Sequence, residues 1–162
     1  MSKSNFQKVV EFNKAFGVQT NTEPQLQIFD TDPKLIEYRM SLITEEYKET
    51  IEAVKNKDFI ELCDGLCDQL FVIYGAFTAI GIPANEAFNL VHESNMSKLC
   101  ETEQDAIETV KRYNQEIPQR YDSPAYRLSD DNIHFVVYNR SSMKILKSYK
   151  YTPVDFTELL TK

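Results

Sequence analysis

The chain has 162 residues, a length that suits one compact domain and crowds out a second ordinary core. Its 25 acidic residues outweigh 18 basic ones, giving a net charge of −7. That balance excludes nucleic acid as the main partner, because phosphate backbones are gripped by clustered Lys and Arg. A hydrophobic content of 42% excludes disorder of the whole chain.

Four glycines and six prolines give little punctuation, so long helices are expected. The first is predicted from about Asn5 to Phe16, with Gly17 as its stop. Val18 to Asp32 is polar and reads as a loop. Asp32 then caps a helix that has Pro33 at its first position and runs to about Asn56. Asp58 caps the next, and Glu61 three residues later completes a capping-box pattern. This helix reaches Ile80, where Gly81-Ile82-Pro83 breaks it. A fourth is expected over about Asn85 to Leu99, and a weaker helical segment over Glu103 to Gln115. Pro118 to Asp131 reads as a long irregular connection. Ile133 to Tyr138 and Met143 to Leu146, joined by the turn Asn139 to Ser142, read as a C-terminal hairpin.

Three cysteines cannot form a paired disulfide framework. Cys63 and Cys67 fall in an apolar run and read as small core residues in a reducing compartment. No signal-peptide stretch opens the sequence, and the longest apolar run, Leu70 to Ile82, is short for a membrane span. A cytoplasmic protein with no membrane partner is the expectation.

The carboxylates carry the chemistry. Charged residues on a helix usually form a solvated face. At about 100° per residue, however, Asp64 and Asp68 share a stripe with Val72, Gly75 and Ala79. The helix beyond Gln69 is apolar nearly all round, so Asp68 is expected to face the interior or a cleft. In the preceding helix, Met40, Ile43, Tyr47, Ile51 and Val54 form an apolar stripe. Glu46 lies beside it in line with Leu42, Thr50 and Ala53, and Glu49 lies next to Glu46. Consecutive helices joined by a tight turn pack antiparallel. Glu46, Glu49, Asp64 and Asp68 can therefore face one another as two pairs. Four converging carboxylates repel unless divalent cations sit between them, and oxygen-only ligation suits Mg²⁺ or Mn²⁺. Glu61 is a further metal candidate, with helix capping as its competing role. Two histidines and no Glu-x-x-His pair argue against zinc and di-iron sites. Farther on, Asn95 shares an apolar stripe with Phe88, Val91 and Leu99 and is expected inside. It is a polar anchor or a core amide, and Lys98 is a phosphate partner or a surface lysine.

Glu45-Glu46-x-x-Glu49 followed by a second acidic helix resembles the all-α NTP pyrophosphatase superfamily, which includes MazG-type enzymes. Asp64 to Gly75, Val91 to Leu99, the opening Glu11 to Gly17 and the ending Lys144 to Lys147 with Tyr151 to Pro153 are similar to its phosphoribosyl-ATP pyrophosphohydrolase-like branch. The superfamily's second motif is usually Glu-x-x-Asp. Here Gly65 stands where that Glu would be if Asp68 were the motif's Asp, and the literal match is Glu61 to Asp64.

The resemblance implies a mainly α fold. It would be a MazG-like antiparallel helical bundle over about 4–116, with a small β-hairpin extension over about 117–162, in one domain. It implies Mg²⁺-dependent hydrolysis of a nucleoside triphosphate to monophosphate and pyrophosphate, in a homodimer or dimer of dimers. Glu45, Glu46 and Glu49 become the candidate catalytic carboxylates, with Glu45 or Glu49 taking a proton from water. Glu46, Glu49, Asp64 and Asp68 become the metal ligands. Asn95, Lys98, Lys144 and Lys147 become candidates for substrate binding. A nucleotide-binding regulator on the same fold and a structural helical protein are the competing readings.

Overall fold

In the computed structural model, residues 2–161 are described. The chain folds into two compact units, one holding the residues up to Phe88 together with the segment from Phe156, the other Asn89–Asp155.

The first unit begins with α1 (Asn5–Ala15). Its Ser4 cap accepts from the Gln7 amide while the Gln7 side chain accepts from the Ser4 amide, a full capping box. The polar stretch that follows contains one short helix, α2 (Ile28–Thr31). Then come α3 (Pro33–Asn56), α4 (Phe59–Ile80) and the start of α5 (Ala84–Met96), which runs on into the second unit. Asp32 caps α3 through the Leu35 amide, with Pro33 in the first turn as expected. Asp58 caps α4 through the amides of Ile60 and Glu61.

The stretch 18–27 has a clear job. The Asn21 and Gln25 amides donate to the carbonyls of Thr78 and Ile80, and the Asn21 carboxamide donates to that of Ala79. These carbonyls end α4 and would otherwise lack partners. The loop sits so close that a Cβ on Gly81 would lie 1.9 Å from the Glu23 carbonyl oxygen, and Gly81 has φ +71°. Only glycine fits there.

α3 and α4 form the central pair, and α1 lies along α4. Asn13, buried, donates to the Thr78 hydroxyl, which donates to the Gly75 carbonyl. Gly65 approaches Thr50 of α3, and Gly75 approaches Arg39. The buried residues of α3 are Arg39, Thr50 and Ala53, so the polar stripe containing Glu46 faces α4. The expected apolar stripe faces out: Met40, Tyr47, Ile51 and Val54 are all exposed. Three expectations for α4 change with it. Cys63 and Cys67 are exposed and not core. Leu66, Leu70, Phe71 and Ile73 are exposed, so the helix is not covered all round within this chain. Asp68 is exposed as well, so it does not face the interior. By length and composition alone α4 could cross a bilayer, and only about a fifth of its most apolar window is buried. What it shows is a helix with one unpartnered apolar face.

In the second unit, α6 (Glu103–Gln115) packs on a two-stranded antiparallel sheet of β1 (Pro124–Leu128) and β2 (Phe135–Asn139). The sequence places β2 correctly but misses its partner. Pro124 pairs with Asn139 and Leu128 with Phe135, so β1 lies in the stretch read as irregular. The Met143–Leu146 stretch adds only an isolated bridge, Tyr138 to Ile145. Pro124 and the exposed polar Arg127 hide the strand pattern. Cys100, Ala106, Val137 and Leu146 form the core of this unit. The described chain ends in the first unit with α7 (Thr157–Leu160), whose Leu159 is buried.

Candidate active site

Two close approaches set the register of α3 against α4: Gly65 on Thr50, and Gly75 on Arg39. Gln69 confirms it, donating to the Thr50 hydroxyl at 2.6 Å, while that hydroxyl donates to the Glu46 carbonyl. Antiparallel packing then brings Asp68 opposite Glu46, one turn from the Gly65–Thr50 contact.

Glu46 is half-buried, while Glu45, Glu49, Asp64, Asp68 and Glu61 are exposed. The Glu46 carboxyl is pushed above the ordinary range, first by loss of water and then by the charges of Asp68, Glu49, Glu45 and Asp64. The other four carboxylates expected at the heart of the site are therefore within electrostatic reach of Glu46. Glu61 stands a turn away along α4, and its amide is held by the Asp58 cap. Among the described residues, no three His, Cys, Asp or Glu side chains converge tightly enough as they stand to hold a metal ion. The donor set is oxygen only and carries excess negative charge, which fits a hard divalent cation once the exposed side chains turn toward it.

The second unit gathers a different set. Lys98 donates to the Asn95 carboxamide at 2.6 Å. Asn95 is exposed, not inside as its stripe suggested, because Phe88 and Val91 on that stripe are exposed too. The Lys147 ammonium lies 4.1 Å from the Tyr151 ring centre. The Tyr151 hydroxyl is 3.1 Å from that of Ser94. Its pKa is drawn below the ordinary phenol range by that hydrogen bond and by the charges of Lys147 and Lys98. Lys144 stands apart, over the Tyr121 ring at 5.4 Å. Ser94 and Tyr151 are the members that spacing alone did not single out, since their contact spans 57 residues.

A cavity of about 270 Å³ lies elsewhere in the first unit, lined by Phe6, Val10, Thr78, Pro83 and Leu159 among others. It contains none of the expected site residues.

The family model for phosphoribosyl-ATP pyrophosphohydrolase matches residues 9–95, more than half of the chain and all of the α3/α4 carboxylates. The chain belongs to this family. The family is part of the MazG-like all-α NTP pyrophosphatase superfamily, and membership implies hydrolase activity of the pyrophosphohydrolase type. An uncharacterized protein of Acanthamoeba polyphaga mimivirus is 28% identical, aligned over 97% of this chain and 96% of its own length. Family membership thus rests on the unit that holds the carboxylates.

Proposed function

We propose that this family member is a Mg²⁺-dependent nucleoside triphosphate pyrophosphohydrolase, converting a ribo- or deoxynucleoside triphosphate to monophosphate and pyrophosphate. The observation that carries the reading is Glu46: a carboxylate partly removed from water whose strongest electrostatic neighbours are four more carboxylates. Uncompensated clusters of that kind are costly in a purely structural role. They are suited to a ligand that brings positive charge.

Glu46, Glu49, Asp64 and Asp68 would hold the cation, Mg²⁺ with Mn²⁺ as the alternative. When bound, it would neutralise phosphate charge and lower the pKa of a water. Glu45 or Glu49 would take the proton of that water. The water oxygen bonds to the α-phosphorus, the bridging P–O bond breaks, and pyrophosphate leaves with the electron pair. Lys98 and Lys147, gathered at Tyr151, and Lys144 are proposed as phosphate partners from their charge and from the family resemblance.

A second copy of the chain is the proposed partner. Phe59, Leu66, Leu70 and Ile73 recur at heptad spacing along α4 and are 75%, 51%, 52% and 37% exposed. All three cysteines are unpaired, which fits a reducing cytoplasmic setting.

The test is product analysis over a panel of ribo- and deoxynucleoside triphosphates and phosphoribosyl-ATP, with and without Mg²⁺, using Asp68→Ala as control. Monophosphate and pyrophosphate formed only with metal, and only by the unaltered chain, would support the reading. Nucleotide binding with no turnover would replace it with a regulator on the same fold. Turnover of phosphoribosyl-ATP alone would narrow the substrate to that compound.

A further inference from the structure

Arg39 is 5% exposed, the one charged residue among the buried residues of α3. Its Nε and Nη2 atoms are sealed from solvent and have no hydrogen-bond partner among the described residues. Its Nη1 fills the gap left by Gly75, where a Cβ would lie 3.2 Å away. Desolvation is the main influence on the guanidinium, and the single charge partner acting on it is the neighbouring Tyr38 phenol. Among the described residues, no carboxylate acts on it. A buried guanidinium without a counter-charge is strongly unfavourable, and natural proteins retain such groups where a ligand completes them.

The position says which ligand. Arg39 lies seven residues before Glu46, on the same face of α3, with the buried Thr50 and Ala53 continuing the line. Seven residues is two turns, about 10 Å along the axis. A triphosphate whose reacting phosphorus sits at the carboxylates can reach this distance with its outer phosphates along the same face of α3. The guanidinium fork matches phosphate oxygens and supplies a fixed positive charge opposite theirs.

We infer that Arg39 is the anion-binding residue of this site, leaving the Gly75 gap to take the terminal phosphates, the half of the substrate that departs as pyrophosphate. The inference rests on the proposed hydrolase reading but is tested separately from it. In the free protein Arg39 lies over the Tyr38 ring, 5.9 Å from its centre, with no counter-charge among the described residues, and the nucleotide completes it. Its replacement should therefore have opposite effects on stability and binding.

The experiment compares the full chain with Arg39→Met and Arg39→Lys. Thermal melting is followed with and without pyrophosphate in Mg²⁺, alongside KM and kcat for the best triphosphate and the solution mass. Arg39→Met should melt higher than the unaltered chain when free, and bind pyrophosphate at least tenfold more weakly. Arg39→Lys, which keeps the charge without the fork, should recover part of that affinity. An unchanged pyrophosphate affinity in Arg39→Met overturns the inference, and so does the absence of any pyrophosphate response in the unaltered chain. If Arg39→Met instead weakens self-association and leaves pyrophosphate binding intact, the missing partner is a carboxylate of a second copy and the inference is again overturned. Failure of the triphosphate panel removes the hydrolase reading, while the pyrophosphate comparison still decides the role of Arg39.

Discussion

Gly65 lies so close to Thr50 that a Cβ on it would stand 2.6 Å from the threonine hydroxyl and 3.3 Å from its backbone Cα. This contact sets how near α3 and α4 come, and so how near Asp68 comes to Glu46. It also shows why position 65 carries no glutamate: a side chain there would run into the Thr50 hydroxyl and the α3 backbone behind it.

Gly65→Ala should therefore destabilise the protein by about 1–3 kcal/mol despite alanine's better helix propensity, because the added methyl meets the Thr50 hydroxyl first and the α3 backbone behind it. Activity should fall with it as the helices separate. Thr50→Ala in the same chain removes the nearest atom and should restore part of the loss. Urea titrations of the two single variants and the double variant would measure the coupling, and strict additivity would count against the packing account.

Glu46→Gln should lower turnover about 100-fold or more and abolish stabilisation by Mg²⁺. Without metal it should raise the melting temperature at neutral pH. The sign follows from its raised pKa. A carboxyl that is protonated more readily when folded adds stability at low pH, and that stability is lost as pH rises through the folded-state value. At neutral pH the charged Glu46 is a liability that a metal or an amide relieves. Melting curves with and without Mg²⁺ at pH 4 and pH 7 would show a larger metal shift at the higher pH.

Asp105 has the opposite linkage. Its hydrogen bond from Lys150 leads in holding its pKa down to about 2, with further hydrogen bonds from Tyr149 and Thr102. The Lys150 ion pair spans 2.8 Å. The folded-state pKa lies below the ordinary 3.8, so the stabilisation is present above that ordinary value and is lost as pH falls toward 2. Asp105→Asn should melt below the unaltered chain at pH 6, and the gap should close between pH 4 and pH 2. A gap that persists at pH 2 would assign the role of Asp105 to shape rather than charge.

Leu70→Asp places a charge in the middle of the exposed apolar face of α4. Light scattering should find the unaltered chain at twice or four times its 18.8 kDa mass and the variant at the monomer mass. A monomeric unaltered chain would remove the second copy as the covering partner.

The sequence by itself determined the long helices α1, α3 and α4 of the first unit, because their signals are local; it missed the short α2 and α7. Asp32-Pro33 and Asp58 start α3 and α4, Gly81 ends α4, and 3.6-residue spacing aligns Glu46 with Thr50 and Asp64 with Asp68. It likewise named the carboxylates that now surround Glu46. What it could not determine was which face of each helix another element would cover. Hydrophobicity pointed to Met40, Tyr47, Ile51 and Val54 as the inner face of α3, yet the inner face carries Arg39, Glu46 and Thr50. The reason is that Gly65 and Gly75 allow close approach only along that stripe. The partner of β2 was equally hidden, since pairing Pro124–Leu128 with Phe135–Asn139 depends on contacts across a loop and not on either segment's own pattern. Tertiary structure alone brought Ser94 to Tyr151 and enclosed Arg39 without a partner, because both follow from how distant segments pack.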